Sequence, residues 1–547
     1  MKEKRLLALF LVLAIMFSFA GCSSGDKGGQ VVSEAPAASG ANAPAEPAQI
    51  SDAKKTAQEA AEAYKNDPDA KVLHVGTTVS GGGFHFTERA DTLANYLIFE
   101  SLVRMDNGVC YPLLAESITW VDNLTCEVKV NEKATFNNGE PVLGEDVLYA
   151  FQMSAVGMMA SNFSSIDLEN SYVKDDGMTV VFKLNYEYGP FEEYALEMPS
   201  IVDKSACEDW EVSDPRWWDQ PITTGPYLIA ENVSGSHLTL VKRDDYWNKD
   251  NMPEWDMIVI HYFSDQTAMF VAFENGELDI VMNMASTDYD RMAAGDVKNA
   301  DTVAYGTVGY KSNYCLYMNP YRQEFSDPKV REAIAYAIDR EAVGTICFGG
   351  LYKLPTSVLS DSTRYYKKTG AYDYDIEYAK QCMAESSYSK GFSVEAVCVT
   401  GEDIMWEVIQ GSLSQIGIDV KISSYDMMTA IGMLLGGAGD VMLFCPGGGN
   451  KFCEPYVELS SAYDESGLPV TRIMDEQFNE WFDAALFTTD TAQREENYAK
   501  MQQWLHDNFQ YIPVVEPTYS YAYRTDKISS VEIDSVGNPN LNNIHPR

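Results

Sequence analysis

The chain has 547 residues, of which 46% are hydrophobic and 12% aromatic, too many for one typical domain and enough for two or three cored lobes. Asp and Glu number 81 against 40 Lys and Arg, a formal charge of -41. So acidic a surface repels nucleic acid and anionic lipid headgroups and removes both from the expected partners; it says little about a small ligand.

In chain order the first feature is N-terminal. Lys2, Lys4 and Arg5 precede an almost unbroken apolar run, Leu6 to Ala20, short for a bilayer span but right for the core of a secretory signal. The run closes on Phe19-Ala20-Gly21-Cys22, which resembles a bacterial lipobox, with Phe19 where Leu is usual. That resemblance implies removal of residues 1–21, acylation of the Cys22 thiol and insertion of its acyl chains into a bilayer. Two such chains anchor stably where one does not. Asp26 to Gln49 is Gly, Ala, Pro, Ser and Glu with little to bury, as expected of a tether within 22–70. Ser51 to Tyr64 is Ala-rich and suits a short helix, and Lys71 to Thr77 opens the first strand.

Leu124, Cys126, Val128 and Val130 alternate with polar residues and predict a half-buried strand. Thr179–Leu184, His237–Lys242 and Asp256–Tyr262 are further strand expectations. Asp327 and Pro328 have the chemistry of a helix cap and first position, and Val330, Ala333, Ile334, Ala337 and Ile338 then share one face. Amphipathic helices are predicted at 375–385, 403–416 and 492–508. Mixed strands and helices over this length make an α/β (mixed α+β) chain of several lobes.

Nine cysteines follow Cys22 without a CxxC, an odd count that makes no disulfide framework. Six scattered histidines form no HExxH, so neither a metal nor a cofactor is expected. No GxSxG occurs, and the glycines between 432 and 439 lack the Lys-Ser/Thr of a phosphate loop. No catalytic residue is therefore assigned, and an enzyme is not expected.

A series of stretches, in order, is similar to the family 5 solute-binding proteins of bacterial ABC importers, which take up oligopeptides, dipeptides or nickel. Pro112 to Val130, running on through Ala134-Thr-Phe-Asn-Asn-Gly-Glu-Pro to Glu145-Asp-Val147, resembles the family signature. Thr224-Gly-Pro-Tyr227, Asp244-Asp-Tyr-Trp247 and Phe273 to Asp279 come next. Tyr317-Met-Asn319, Phe325 to Arg340, Gln415 to Val420 and Tyr511 to Val514 complete the series. Taken as residues, most are fold-specifying: Gly139-Glu-Pro141 is turn chemistry, and Asp244 to Trp247 reads as a turn packed by aromatics.

The resemblance implies a two-lobe Venus-flytrap, periplasmic-binding-protein-like fold with an extra subdomain inserted in the first lobe. The first lobe would comprise 71–110, 220–305 and 510–547, the insert 111–219 and the second lobe 306–509, with crossovers near 306–319 and 504–515. It further implies capture of a peptide or peptide-like solute between the lobes, delivery to an ABC permease and its ATPase, and a monomer held on the outer face of the cytoplasmic membrane. Oligosaccharide, opine and nickel-chelate ligands, or a peptide-sensing receptor or chaperone role, stay open on the same fold.

Two loops are candidate ligand contacts. One follows the first strand and contains Ser80, Gly81, Gly82, Gly83, Phe84 and His85; the other contains Phe444, Pro446, Gly447, Gly448, Asn450 and Lys451. In peptide-binding members the second stretch looks like Trp-x-x-Asp-Tyr-x-(Asp)-Pro, and its first Asp grips the peptide ammonium. Here Glu454-Pro455 keeps the end, but glycines, Asn450 and Lys451 replace that Asp. A ligand without a required free α-amine is expected, unless an acid such as Glu454 or Asp440 substitutes.

Overall fold

The structure, a computed structural model, describes residues 52–78, 92–106, 108–156, 160–210, 214, 216–445, 453–463, 469–533 and 540–547. Its strands are β1 (Val72–Thr77), β2 (Val103–Asp106), β3 (Val109–Pro112), β4 (Ala115–Asp122), β5 (Thr125–Val130), β6 (Tyr172–Val173) and β7 (Thr179–Lys183). There follow β8 (Tyr227–Val233), β9 (His237–Lys242), β10 (Met257–Tyr262), β11 (Ile280–Met282), β12 (Val303–Gly309), β13 (Tyr314–Met318) and β14 (Tyr352–Lys353). The last are β15 (Phe392–Val399), β16 (Ile418–Tyr425), β17 (Val441–Phe444), β18 (Ile512–Arg524), β19 (Ile528–Ser530) and β20 (His545–Pro546).

A mixed sheet runs β16-β15-β17-β13-β18-β11-β1-β10-β9-β8, with β12 and β14 also paired to β18. β18 is the shared member. Ile512 to Val515 pair with β13, Glu516 and Pro517 with β14, Thr518 to Arg524 with β12, and Tyr521 to Tyr523 with β11. The two lobes thus carry separate cores on one continuous backbone ladder. On the first side Leu73, Val75, Leu238, Leu240, Ile258, Ile260 and Ile280 are fully buried. On the other, Leu316, Val394, Ala396 and Ile512 are covered by the helices Pro328–Ala337 and Asp403–Ser414. A separate sheet, β4-β5-β7-β6, packs beneath the helix Gly144–Ser154.

Local expectations and structure agree where one physical rule dominates. Asp327 caps the helix Pro328–Ala337 by accepting from the Lys329 N–H, and Val330, Ala333, Ile334, Ala337 and Ile338 are at most 1% exposed. The helices Ile376–Glu385, Asp403–Ser414 and Thr491–Asp507 form where amphipathicity places them. Two places differ. Leu124 is not in the strand it was counted with: its N–H bonds to the Asp122 carboxylate in the β4–β5 turn, and its side chain is 44% exposed. The folded body also begins before β1, because Ala57 and Ala61 of the helix Asp52–Lys65 pack against Ala230, Val241, Met257 and Val259.

The motifs of the sequence act as polar knots. Tyr246 Oη and Trp247 Nε1 both donate to the buried Glu100 carboxylate, at 2.6 and 2.8 Å, so Asp244–Trp247 is more than aromatic packing. Arg243, 2% exposed, donates to the Thr224, Gly225 and Phe136 carbonyls and ties three of the motifs together. Arg340 is buried without a carboxylate. It donates to the Pro513, Ala335, Ile338 and Tyr372 carbonyls, and burial pulls its guanidinium down to about 10. Asp279 accepts from the His74 N–H and pairs with Lys527 at 2.9 Å.

His74 on β1 and His261 on β10 lie side by side, ring nitrogens 3.0 Å apart, with His237 opposite His261 on β9. Burial, reinforced by His74 and His237, pulls His261 down to about 4; burial also lowers His74, against the pull of Asp279. A folded pKa below the unfolded value adds stability at pH above 6.5 that is lost as pH falls toward 4. Glu231, paired with His237, and Lys527 are the other charged neighbours. Urea midpoints should therefore fall between pH 7 and pH 4.5, and fall less in His261→Gln. An equal fall in the variant would assign the acid sensitivity elsewhere.

Candidate functional site

Strand direction locates the cleft. β11 is antiparallel to β18 and parallel to β1, so the carboxyl end of β1 points toward the amino half of β18. β13 is antiparallel to both β17 and β18, so β17 runs with β18 and its carboxyl end points toward the other half. Met282 is level with Tyr521 and Gly76 with Val281, while Phe444 is level with Cys315 and that residue with Pro513. The chain leaving Thr77 and the chain leaving Phe444 therefore head toward each other over Glu516 to Ser520. Ligands of open α/β sheets bind outside the carboxyl ends of strands in this way.

Of the candidate contacts, Phe444 is half-buried at the end of β17. Ser80, Gly81, Gly82, Gly83, Phe84 and His85 lie outside the described residues, as do Pro446, Gly447, Gly448, Asn450, Lys451 and Cys22. The described floor is a network that sequence reasoning missed. Glu516, 3% exposed, accepts from the Lys311 N–H and from Ser360 Oγ, each at 3.1 Å, with Lys353 Nζ 3.7 Å away. Burial raises its carboxyl pKa against Lys353 and those donors. Lys311 has φ of +58°, and the Tyr310 N–H donates to the Pro517 carbonyl. An added Cβ at Gly309 would lie 2.5 Å from Glu516 Oε1, which explains the glycine. Glu516 joins β18, the 310–313 crossover and the 351–362 segment, residues too far apart in sequence for any spacing rule to connect.

The two acids considered as ammonium acceptors are engaged elsewhere. Asp440 precedes β17, at the end away from Phe444, and pairs with Arg322 at 3.0 Å while accepting from the Glu395 N–H. Glu454, 1% exposed, is 2.5 Å from Arg494 and accepts from Tyr498 Oη at 3.3 Å. Burial raises the Glu454 carboxyl against the pull of Arg494, which the carboxylate in turn holds firmly cationic. Burial pushes the Cys445 thiol well above its usual range and that of Cys110 to about 12, which leaves both protonated and poor nucleophiles. Among the described residues, no three His, Cys, Asp or Glu side chains are placed to hold a metal.

The floor, the facing strand ends and the shared strand suit a site that closes on a solute. The family model for bacterial extracellular solute-binding proteins, family 5, matches residues 110–463, well over half of the chain. The chain belongs to that family. As a family 5 protein it has the substrate-binding role of an ABC importer and works outside the cytoplasm. Among its relatives, the oligopeptide-binding protein AppA of Bacillus subtilis is 25% identical over 378 residues, 64% of this chain and 68% of that protein. A Brucella ovis protein named as a putative ABC transporter peptide-binding protein is 26% identical over 460 residues, 78% of this chain and 84% of the relative. Of solved structures, AppA of Bacillus subtilis with a nonapeptide superposes with a TM-score of 0.68 at 20% identity, covering 87% of this chain and 99% of that one. NikA from Brucella suis with Fe(III)-EDTA gives 0.73 at 20%, covering 88% and 100%. These two structures establish the shared two-lobe fold. Among the described residues no helix is long and apolar enough to cross a membrane.

In this family 5 protein Glu454 is a structural anion. Glu454→Gln strands a buried guanidinium and should lower unfolding free energy by about 3 kcal/mol in urea titrations. Stability within error of wild type would show that the pair carries no such role and would return Glu454 to the ligand candidates.

Proposed function

We propose that this protein captures a peptide-like solute that needs no free α-amine, encloses it between its lobes and passes it to an ABC permease and ATPase. The observation that carries this is the convergence of the β1 and β17 ends over Glu516 to Ser520. In this reading the first lobe is 71–110, 220–305 and 510–547, the insert 111–219 and the second lobe 306–509. Ser80 to His85 and Phe444, Pro446, Gly447, Gly448, Asn450 and Lys451 line the two sides. A buried ammonium needs an anionic partner. The arginine engagement of Glu454 and Asp440, with Lys451 where peptide binders resemble one another in an Asp, favours a carboxylate or other anionic group at that end. The solute makes both sets of contacts only when the lobes meet, so binding shifts the population toward closure.

Matched free and N-acetylated tetrapeptides test this together. N-acetylation should leave the calorimetric affinity within about threefold, far short of the cost of an unpaired buried ammonium. Binding should also reduce the radius of gyration in small-angle scattering and return the peptide unchanged. Tight binding of the free peptides that is lost on acetylation would show that the ammonium is gripped after all.

The anchor is the second part of the proposal: Cys22, acylated after removal of residues 1–21, holds the chain on the outer face of the cytoplasmic membrane as a monomer. Cys22→Ala should incorporate no acyl label and appear in the medium or remain unprocessed. Label retained by that variant would sink the assignment.

A further inference from the structure

β15 pairs in parallel with β16 on one side and with β17 on the other, where Ala396 is level with Val441. The chain steps outward from β15 to β16 through the helix Asp403–Ser414, whose Met405, Trp406 and Ile409 share a core with Ala396 and Cys398. It returns across β15 to β17 through the helix Met427–Leu435, whose Ile431 and Leu434 pack with Val397 on the opposite face. The gap between β15 and β17 is therefore a topological switch point, and the crevice beyond such a gap is where ligands of open α/β sheets sit.

Register puts one carboxyl into that crevice. Counting on from Ala396 and Val441, Val399 is level with Phe444, the described candidate contact. The Phe392 and Thr400 N–H groups donate to β16 carbonyls, while the Glu395 N–H donates to Asp440 beside β17. The period of two then turns the Val399 N–H toward β17 as well. Glu402 Oε2 accepts that N–H at 3.2 Å. Glu402 immediately precedes the helix Asp403–Ser414 without capping it, so its side chain turns back over the end of β15.

Burial lifts the Glu402 carboxyl to about 7, against the pull of the Val399 N–H. Asp403 beside it accepts from the Gly401 N–H, and the buried Cys398 thiol, at about 11, stays protonated. Across on β16 stand Tyr425, level with Val399, and then Asp426, which accepts from Thr429. The helices packed on Asp403–Ser414 carry Lys329, Arg331, Glu332, Arg340, Glu341 and Cys347, and none of these moves Glu402. Among the described residues no lysine or arginine pairs with it.

We propose that Glu402 is a specificity-determining residue of the cleft, which in its protonated form meets the anionic end of the solute and makes capture tighter at acid pH. This rests on the capture reading above and names the group that the anionic end meets. Protonated, the carboxyl donates a charge-assisted hydrogen bond to a carboxylate. Ionised, it repels the same group, so binding takes up a proton and holds Glu402 in the acid form.

Calorimetric titration of the purified full-length chain with the matched free and N-acetylated tetrapeptides, at pH 6 and pH 8, tests it. Both peptides carry the C-terminal carboxylate. The wild type should bind about tenfold tighter at pH 6, because the competent acid fraction falls by that factor at pH 8. Glu402→Gln is uncharged at both pH values and keeps an acceptor for the Val399 N–H; its affinity should be the same at the two. A C-amidated peptide, which lacks the anion, should show no pH effect on the wild type. Equal wild-type affinities at pH 6 and pH 8, a pH effect that persists in Glu402→Gln, or binding of neither peptide at pH 6 would each overturn the assignment. Binding of the free peptide alone, with its pH effect still cancelled by Glu402→Gln, would instead defeat the reading that no free amine is required and leave Glu402 in its role.

Discussion

β18 supplies backbone donors and acceptors to β13, β14, β12 and β11 in turn, and among the described residues no other strand pairs with both halves of the sheet. A covalently continuous, hydrogen-bonded strand resists translation of one lobe against the other, because sliding would break many ladder bonds at once. It resists bending and twisting far less, since a few φ/ψ changes absorb these. The second connection, from Gly309 to Tyr314, runs beside it and is stitched to it by Tyr310 and Lys311. Two parallel connections leave rotation as the soft motion and place the axis next to the cleft floor.

Around this axis the buried charges divide into two kinds. Arg243 and Arg340 donate mainly to carbonyls, a dispersed solvation that locks loops and strand ends; Arg243 adds one carboxylate, Asp245 at 3.0 Å. Arg340 holds Pro513, so the first residues of β18 are fixed by a side chain from the helix Arg340–Phe348. Glu100, Glu454 and Glu516 are instead buried carboxyls with specific donors, and removal of a donor leaves a buried acceptor unmet in a low dielectric. Both kinds give the fold one geometry where apolar packing alone would tolerate several.

Much of the frame is legible in the sequence. The Asp327-Pro328 cap, the apolar face from Val330 to Ile338 and the alternation of β5 follow from local rules that burial then reinforces. Leu124 shows where such rules end: period two extends one residue into a turn that Asp122 has already claimed. The family motifs announce the fold but not what each residue does. That Tyr246 and Trp247 serve Glu100, or that Arg364 meets Gly108 and Glu193, depends on contacts across more than a hundred residues, for which sequence spacing carries no signal. The candidate ligand loops are glycine-rich, and glycine specifies permissiveness rather than a contact.

The helix Asp52–Lys65 has a mechanical consequence. It seats Ala57 and Ala61 on β8 to β10, and Lys54 pairs with Asp219, so residue 52 is fastened to the first side of the sheet, remote from β16 at the other edge. Any restraint on the chain before that point is transmitted to the first lobe alone. The first lobe is then the stator and the second the rotor. Rotation about β18 then moves the second lobe against a first lobe whose bearing is set by the helix Asp52–Lys65.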